Sequence, residues 1–179
     1  MNLTSLVLPL LCGAALGLAA ISPRAKASPL AVGDPAPAVS GLTDSGSTLN
    51  LADVYRKQAY TLVYFFPKAD TPGCTAQGCS LRDAYQDLAA KGVVVIGVSH
   101  DDVAAQKAFK EKFHFPFTLI ADADQAVSKA FGVPNYPMMN LARRQAFLIK
   151  GGKVVWADYK ASTDKQASDV LRVLAGLKG

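Results

Sequence analysis

The sequence predicts an α/β fold, with a central mixed sheet of about five strands flanked by helices. Three observations carry that expectation. The runs Tyr60 to Phe66 and Gly92 to Ser99 are almost continuously apolar and rich in β-branched and aromatic residues, as strands buried on both faces are. Each is followed by a segment of helical spacing, and alternation of strands with helices implies parallel strands covered on both faces. The last two strand-like runs are separated only by Lys150-Gly151-Gly152, a hairpin turn that adds antiparallel strands and makes the sheet mixed.

Taken in order, residues 28–49 are rich in Pro, Gly, Ser and Asp and read as an extended lead-in with short strands. Tyr60 to Phe66 is the first long strand, stopped by Pro67. Cys74 to Ala90 has helical spacing, with Leu81, Tyr85 and Leu88 on one side. Gly92 to Ser99 is the second buried strand. Asp101 to Phe113 reads as a helix whose acidic opening suits its N-terminus. Phe117 to Ile120 is a short third strand. A helix over Asp124 to Phe131 is closed by Gly132 and Pro134. Gln145 to Ile149 and Lys153 to Ala157 form the hairpin, and Ser162 to Leu177 is a closing amphipathic helix.

A chain of 179 residues suits one domain, and 50% hydrophobic against 18% charged residues supplies a packed core rather than disorder. The N-terminus differs from the rest. Leu6 to Ile21 is apolar and uncharged, too short to span a bilayer comfortably, and ends in Ala25-Lys26-Ala27, small residues of the type a signal peptidase requires. Residues 1–27 therefore read as a cleavable signal peptide, the alternative being an uncleaved membrane anchor, followed by one domain over 28–179. Export places the chain in a bacterial periplasm or a thylakoid lumen, with no stable membrane association after cleavage. The leader carries Arg24 and Lys26, so the remainder has 17 basic against 14 acidic residues. That balance is too weak for nucleic-acid binding.

Cys12 falls in the leader, which leaves Cys74 and Cys79. A loop closed over five residues removes little chain entropy, so stabilisation is a poor reason for this pair. The segment Pro67-Lys68-Ala69-Asp70-Thr71-Pro72-Gly73-Cys74 joins the end of a buried strand to a helix, where sites of open α/β folds sit. Thr71 suits an N-cap and Pro72 the first helical position. Cys74 then lies in the first turn, whose unpaired N–H groups and dipole favour the thiolate and make it a nucleophile. A leaving oxyanion needs donors placed where its charge develops. The hydroxyl of Thr71 and a guanidinium of Arg143 or Arg144 are candidates.

The spacing Pro67-x-x-x-Thr71-x-x-Cys74 resembles the active-site motif of peroxiredoxins. The longer stretch Phe66 to Thr75, with Cys79 five residues on and then Leu81-Arg82-Asp83, is similar to the Q-type subgroup, also called bacterioferritin comigratory protein. The similarity continues through Gly97-Val98-Ser99, Phe115-Pro116, Asp122-Ala123-Asp124, Phe131-Gly132-Val133 and Arg144 to Ile149. It implies a thioredoxin-like fold and a thiol-dependent peroxidase. Cys74 is then the peroxidatic cysteine and Cys79 the resolving one, joined in an intramolecular disulfide. Thr71 and Arg144 polarise the peroxide, and Pro67 shields the thiolate from water. Arg144 is preferred to Arg143 because it stands three residues before Phe147. The resemblance further implies thioredoxin or a similar dithiol reductant, a monomer, and no metal or organic cofactor. Departures are Lys150-Gly151-Gly152, where an acidic residue is common before the turn, and the apolar run Pro134 to Met139.

Two other functions draw on the same residues. A disulfide oxidoreductase normally shows Cys-x-x-Cys, whereas four residues intervene here. A Cu(I) carrier would draw on Cys74, Cys79 and Met138 or Met139 as soft ligands. Two cysteines alone do not close a tetrahedral zinc site, and His100 and His114 are not spaced as ligands.

Overall fold

In the computed structural model, which describes residues 28–177, the chain builds one seven-stranded sheet with helices on both faces. The expected signal peptide lies outside the described residues. The strands are β1 (Ser40–Thr43), β2 (Thr48–Asn50), β3 (Tyr60–Phe65), β4 (Val93–Ser99), β5 (Thr118–Ala121), β6 (Gln145–Lys150) and β7 (Lys153–Asp158). Their order is β2-β1-β5-β4-β3-β6-β7. The helices are α1 (Leu51–Lys57), α2 (Pro72–Asp83), α3 (Tyr85–Ala90), α4 (Val103–Phe113), α5 (Ala126–Ala130) and α6 (Gln166–Gly176).

β3, β4 and β5 are parallel, while β6 runs antiparallel to β3. The sheet is therefore mixed, as expected, but it has seven strands rather than about five. The two additional strands form the β1–β2 hairpin, which extends the sheet by antiparallel pairing of β1 with β5. These strands are only four and three residues long and half exposed, so they carry no sustained alternation. The helix α1 was not expected. Its signals are local: Asn50 Oδ1 accepts from Ala52 N, Asp53 sits in the first turn, and Arg56 and Lys57 sit in the last. The helical segment expected through Ala90 starts at Pro72, the first helical position expected from its chemistry, and breaks at Ala84 into α2 and α3.

β3 separates two cores. Leu62, Tyr64 and Phe66 face one side with Cys74, Leu81, Leu88, Phe109, Val170 and Leu174, beneath α2, α3, α4 and α6. Val63 and Phe65 face the other, with Leu51, Tyr55, Val127 and Phe131 beneath α1 and α5. This two-sided burial is why β3 reads as a continuous apolar run. The first core contains a chain of rings in which Phe115 lies 4.9 Å from Phe109 and 5.2 Å from Phe117, centroid to centroid.

Gly78 of α2 sits directly on that chain: a Cβ there would lie 2.5 Å from Cζ of Phe115. The Phe115 ring is boxed by its neighbours and has little room to withdraw. Gly78→Ala is therefore expected to destabilise the protein despite alanine's better helix propensity, because overpacking costs about 1–3 kcal/mol. The midpoint of thermal unfolding should fall by roughly 2–12 °C. A midpoint at or above that of the wild type would show that the ring yields freely.

Candidate active site

The site forms where the carboxyl end of β3 meets α2. Phe65 pairs with Gln145 in the antiparallel register of β3 and β6. One step beyond, Arg144 stands level with Phe66 and Pro67, where the chain leaves the sheet. Residues far apart in sequence therefore converge through strand pairing alone.

The loop from Pro67 to Thr71 is held from outside. Ala69 N donates to Asp101 Oδ2 at 2.8 Å, and Ser99 Oγ donates to the same oxygen at 2.6 Å. Asp70 adopts a left-handed conformation, φ 55°, and its carboxylate accepts from Lys112 Nζ at 2.7 and 2.9 Å. Thr71 occupies the N-cap position of α2, with φ −100° and ψ 152°. Its side chain does not cap the helix, contrary to the expectation. Instead Thr71 Oγ1 donates to Lys68 O at 2.9 Å. That bond tightens the loop and spends the hydroxyl proton locally, leaving the oxygen's lone pairs free to accept. Pro72 is at the first helical position, as expected, and Pro67 is half-buried.

The first bond of α2 runs from Thr75 N to Thr71 O at 2.8 Å. The N–H groups of Gly73 and Cys74 therefore have no acceptor within the helix. Cys74 is 2% exposed, and Arg144 Nη2 donates to its sulfur at 3.4 Å. The guanidinium approaches closely because residue 73 is glycine: a Cβ there would lie 3.3 Å from Arg144 Nη2. Positive charge and free N–H groups thus meet at one sulfur and favour an anion there; burial by itself opposes that charge, but it also strengthens the pull of the guanidinium and the N–H groups. Tyr64, in the same core, has no hydrogen-bond partner for its hydroxyl. Burial, reinforced by negative charge on Cys74, pushes its phenol well above the usual range, so it keeps its proton and adds no competing charge.

Both cysteines are free thiols. Cys79 is half-buried against the first core. Five residues along one regular helix separate Cα atoms by about 8–9 Å, whereas a disulfide needs less than about 7 Å. The structure thus brings Arg144 to Cys74, with Thr71 at the N-cap of the same helix and Pro67 at the start of the loop before it, while the regular helix holds Cys79 out of bonding reach. Arg82 lies near Cys79, and its charge is reinforced first by a hydrogen bond to Asp83 and then by Cys79. Its Nη1 also donates to Phe113 O at 2.9 Å, tying the end of α2 to α4.

Sequence reasoning missed Gln77 and Gln166. Gln77 is fully buried on α2, and its Oε1 accepts from Arg144 Nη1. Gln77 Nε2 donates at 2.8 Å to Oε1 of Gln166, also fully buried at the start of α6. The available signal for Gln77 was its place one turn after Cys74, on the same face of the helix. Arg143 turns away from the sulfur and lies over the Tyr136 ring, 5.4 Å from its centroid. His100 contacts Ser128 Oγ at 3.0 Å and Asn140 O at 3.2 Å, a structural role. Met138 and Met139 project into solvent, in contrast to Cys74. A cavity of about 210 Å³ opens beside Arg144, lined also by Tyr136, Arg143, Tyr159, Lys160 and Ala161.

Residues 32–157 match the family model described as the AhpC/TSA family. The chain belongs to that family. Within it the likeness is to peroxiredoxin Q and bacterioferritin comigratory proteins. The chloroplastic peroxiredoxin Q of Oryza sativa subsp. japonica is 39% identical over 118 residues, which are 65% of this chain and 54% of that protein. The chloroplastic peroxiredoxin Q of Triticum aestivum is 36% identical over 134 residues, 74% of this chain and 61% of that one. The matched part spans 54–66% of the length of the first curated relatives. Among solved structures, peroxidoxin BcpB from Mycobacterium tuberculosis superposes with a TM-score of 0.77 at 28% identity, covering 83% of this chain and 98% of that one. A cysteine-to-serine mutant of Xylella fastidiosa PrxQ superposes with a TM-score of 0.78 at 25% identity, covering 85% and 99%. The thioredoxin-like arrangement of sheet and helices is thus the fold of this AhpC/TSA family member.

Proposed function

We propose that this chain is a thiol-dependent peroxidase acting on hydrogen peroxide and organic hydroperoxides, with Cys74 as the attacking group. The observation that carries this reading is the Arg144 guanidinium 3.4 Å from a buried Cys74 sulfur at the first turn of α2. Cys74 thiolate attacks one peroxide oxygen. The O–O bond breaks, the sulfur becomes a sulfenic acid, and the other oxygen leaves as water or an alcohol after taking a proton. Arg144 and the free N–H groups stabilise charge on the oxygens as the bond stretches. Thr71 Oγ1 accepts a hydrogen bond from the peroxide O–H and so orients it, while Pro67 limits water at the sulfur.

Cys79 then attacks the Cys74 sulfenic sulfur, which releases water and leaves a disulfide. The first turns of α2 unwind for this step, because the regular helix holds the two residues too far apart. A dithiol protein such as thioredoxin returns both thiols and is itself oxidised. The chain acts as a monomer in an exported compartment.

The test is turnover with thioredoxin, thioredoxin reductase and NADPH, together with mass spectrometry of the oxidised protein. Wild type should consume NADPH and carry a Cys74–Cys79 disulfide. Cys79→Ser should react once with hydrogen peroxide at the wild-type rate, accumulate a trappable sulfenic acid, and lose most of its turnover. Full turnover by Cys79→Ser would remove Cys79 from the cycle.

A further inference from the structure

We propose that Gln166 is a positioning residue for the reaction at Cys74: it orients the Gln77 amide so that its oxygen holds Arg144 on the sulfur. The inference rests on the peroxidase reading above. It starts from the inventory of donors. A guanidinium only donates, so Arg144 needs acceptors to fix its plane. Its two side-chain acceptors are Gln77 Oε1, reached by Nη1, and Cys74 Sγ, reached by Nη2. Among the described residues no carboxylate forms an ion pair with it.

Gln77 supplies that acceptor only in one of two orientations. Its amide has ends of nearly equal size, and the reversed one would point N–H groups at N–H groups of Arg144. Gln166 reinforces the orientation the guanidinium requires, because its Oε1 accepts from Gln77 Nε2 at 2.8 Å. The chain Gln166, Gln77, Arg144, Cys74 thus has a single direction. Both glutamines are fully buried, so water does not substitute for either partner. Among the described residues Gln166 Nε2 has no hydrogen-bond partner. An orphaned buried donor is destabilising, and a side chain serving only to pack α6 against α2 gains nothing from that amide. The backbone supports the same contact: Ala167 N donates to Ser80 Oγ at 3.2 Å, which seats the start of α6 on α2. Gln166 never touches the peroxide and acts only through Gln77.

The experiment is a double-mutant cycle on the second-order rate constant for oxidation of the reduced protein by hydrogen peroxide, with thermal unfolding recorded for each variant. Gln166→Met should slow the reaction up to about tenfold, the scale of one lost hydrogen bond between neutral groups, and Gln77→Met, which loses a bond to the guanidinium, at least as much. Because both act through one contact, the double variant should be no slower than Gln77→Met within about twofold. Gln166→Glu keeps the acceptor and should stay within about threefold of wild type. A merely structural residue would lower the unfolding midpoint and leave the rate constant alone. A wild-type rate for Gln166→Met, or losses that multiply to about a hundredfold in the double variant, would overturn the proposal. If Gln166→Met does not fold, Gln166→Leu is compared with Gln166→Glu: a tenfold loss in Gln166→Leu that Gln166→Glu does not share supports the role, and equal rates in the two overturn it. A wild-type protein that ignores hydrogen peroxide sinks the peroxidase reading itself, which separates the two failures.

Discussion

Cys74→Ser is expected to abolish oxidation of the reduced protein by hydrogen peroxide, lowering the rate constant by on the order of 10³-fold or more. The reason is chemical before it is structural. Peroxide reduction needs a group that gives an electron pair to oxygen and can then carry that oxygen. A thiolate does both, and a serine hydroxyl at neutral pH does neither. The substitution changes little else. Cys74 is 2% exposed and sits beside Arg144 and Gly73, and oxygen is smaller than sulfur, so nothing is overpacked. The fold should survive, with the unfolding midpoint within a few degrees of wild type. Stopped-flow fluorescence follows the reaction, with Trp156 half-buried against the core that contains Cys74. Rapid oxidation of Cys74→Ser would move the chemistry to Cys79 and end the assignment made here.

Much of this site is written in the sequence because its parts rest on short-range rules. Pro72 starts the helix and Pro67 ends the strand wherever the chain goes, so Cys74 falls in a first turn without any knowledge of tertiary contacts. Arg144 is legible for a different reason. It borders an apolar strand, and an antiparallel neighbour of β3 brings the start of β6 to the end of β3. Thr71 was half legible: its position as N-cap followed from spacing, but its hydroxyl had two nearby acceptor or donor choices and took Lys68 O.

The illegible parts share a physical cause as well. Gln77 and Gln166 lie 89 residues apart, and a glutamine on an amphipathic helix looks like solvated surface until the facing helix is in place. The lead-in was legible as short strands but not their number or their place in the sheet, and α1 was not legible, because each spans too few residues for a period to declare itself. The split between α2 and α3 at Ala84 carries no Pro or Gly to announce it. What holds α2 in place is also distributed over distant residues: Phe115 under Gly78, Phe113 O under Arg82, and Gln166 beside Gln77. Resolution by Cys79 asks that helix to unwind, so these contacts oppose the second step while they assemble the first.

Arg144→Met is expected to slow the reaction with peroxide by about 10²–10³-fold, equivalent to about 2.7–4 kcal/mol of transition-state stabilisation, while leaving Cys74 in place. Two roles end together. The cation no longer favours a thiolate in a dry site, and the fork no longer presents a donor where the peroxide oxygens gain charge. Both depend on a fixed plane, since Nη1 is committed to Gln77 and Nη2 to the sulfur. Arg144→Lys restores the charge but not the fork, because one ammonium does not hold both partners in the same geometry. It should recover only part of the loss, to roughly tenfold below wild type. Arg143→Met is the matched control. That side chain lies over Tyr136 and contacts neither cysteine, so its rate constant should stay within about twofold of wild type. The three constants, measured by stopped flow against hydrogen peroxide, test geometry separately from charge. Arg144→Lys at the full wild-type rate would mean that charge alone suffices at this sulfur. Arg144→Met within threefold of wild type would leave the helix N-terminus as the sole stabiliser of the anion.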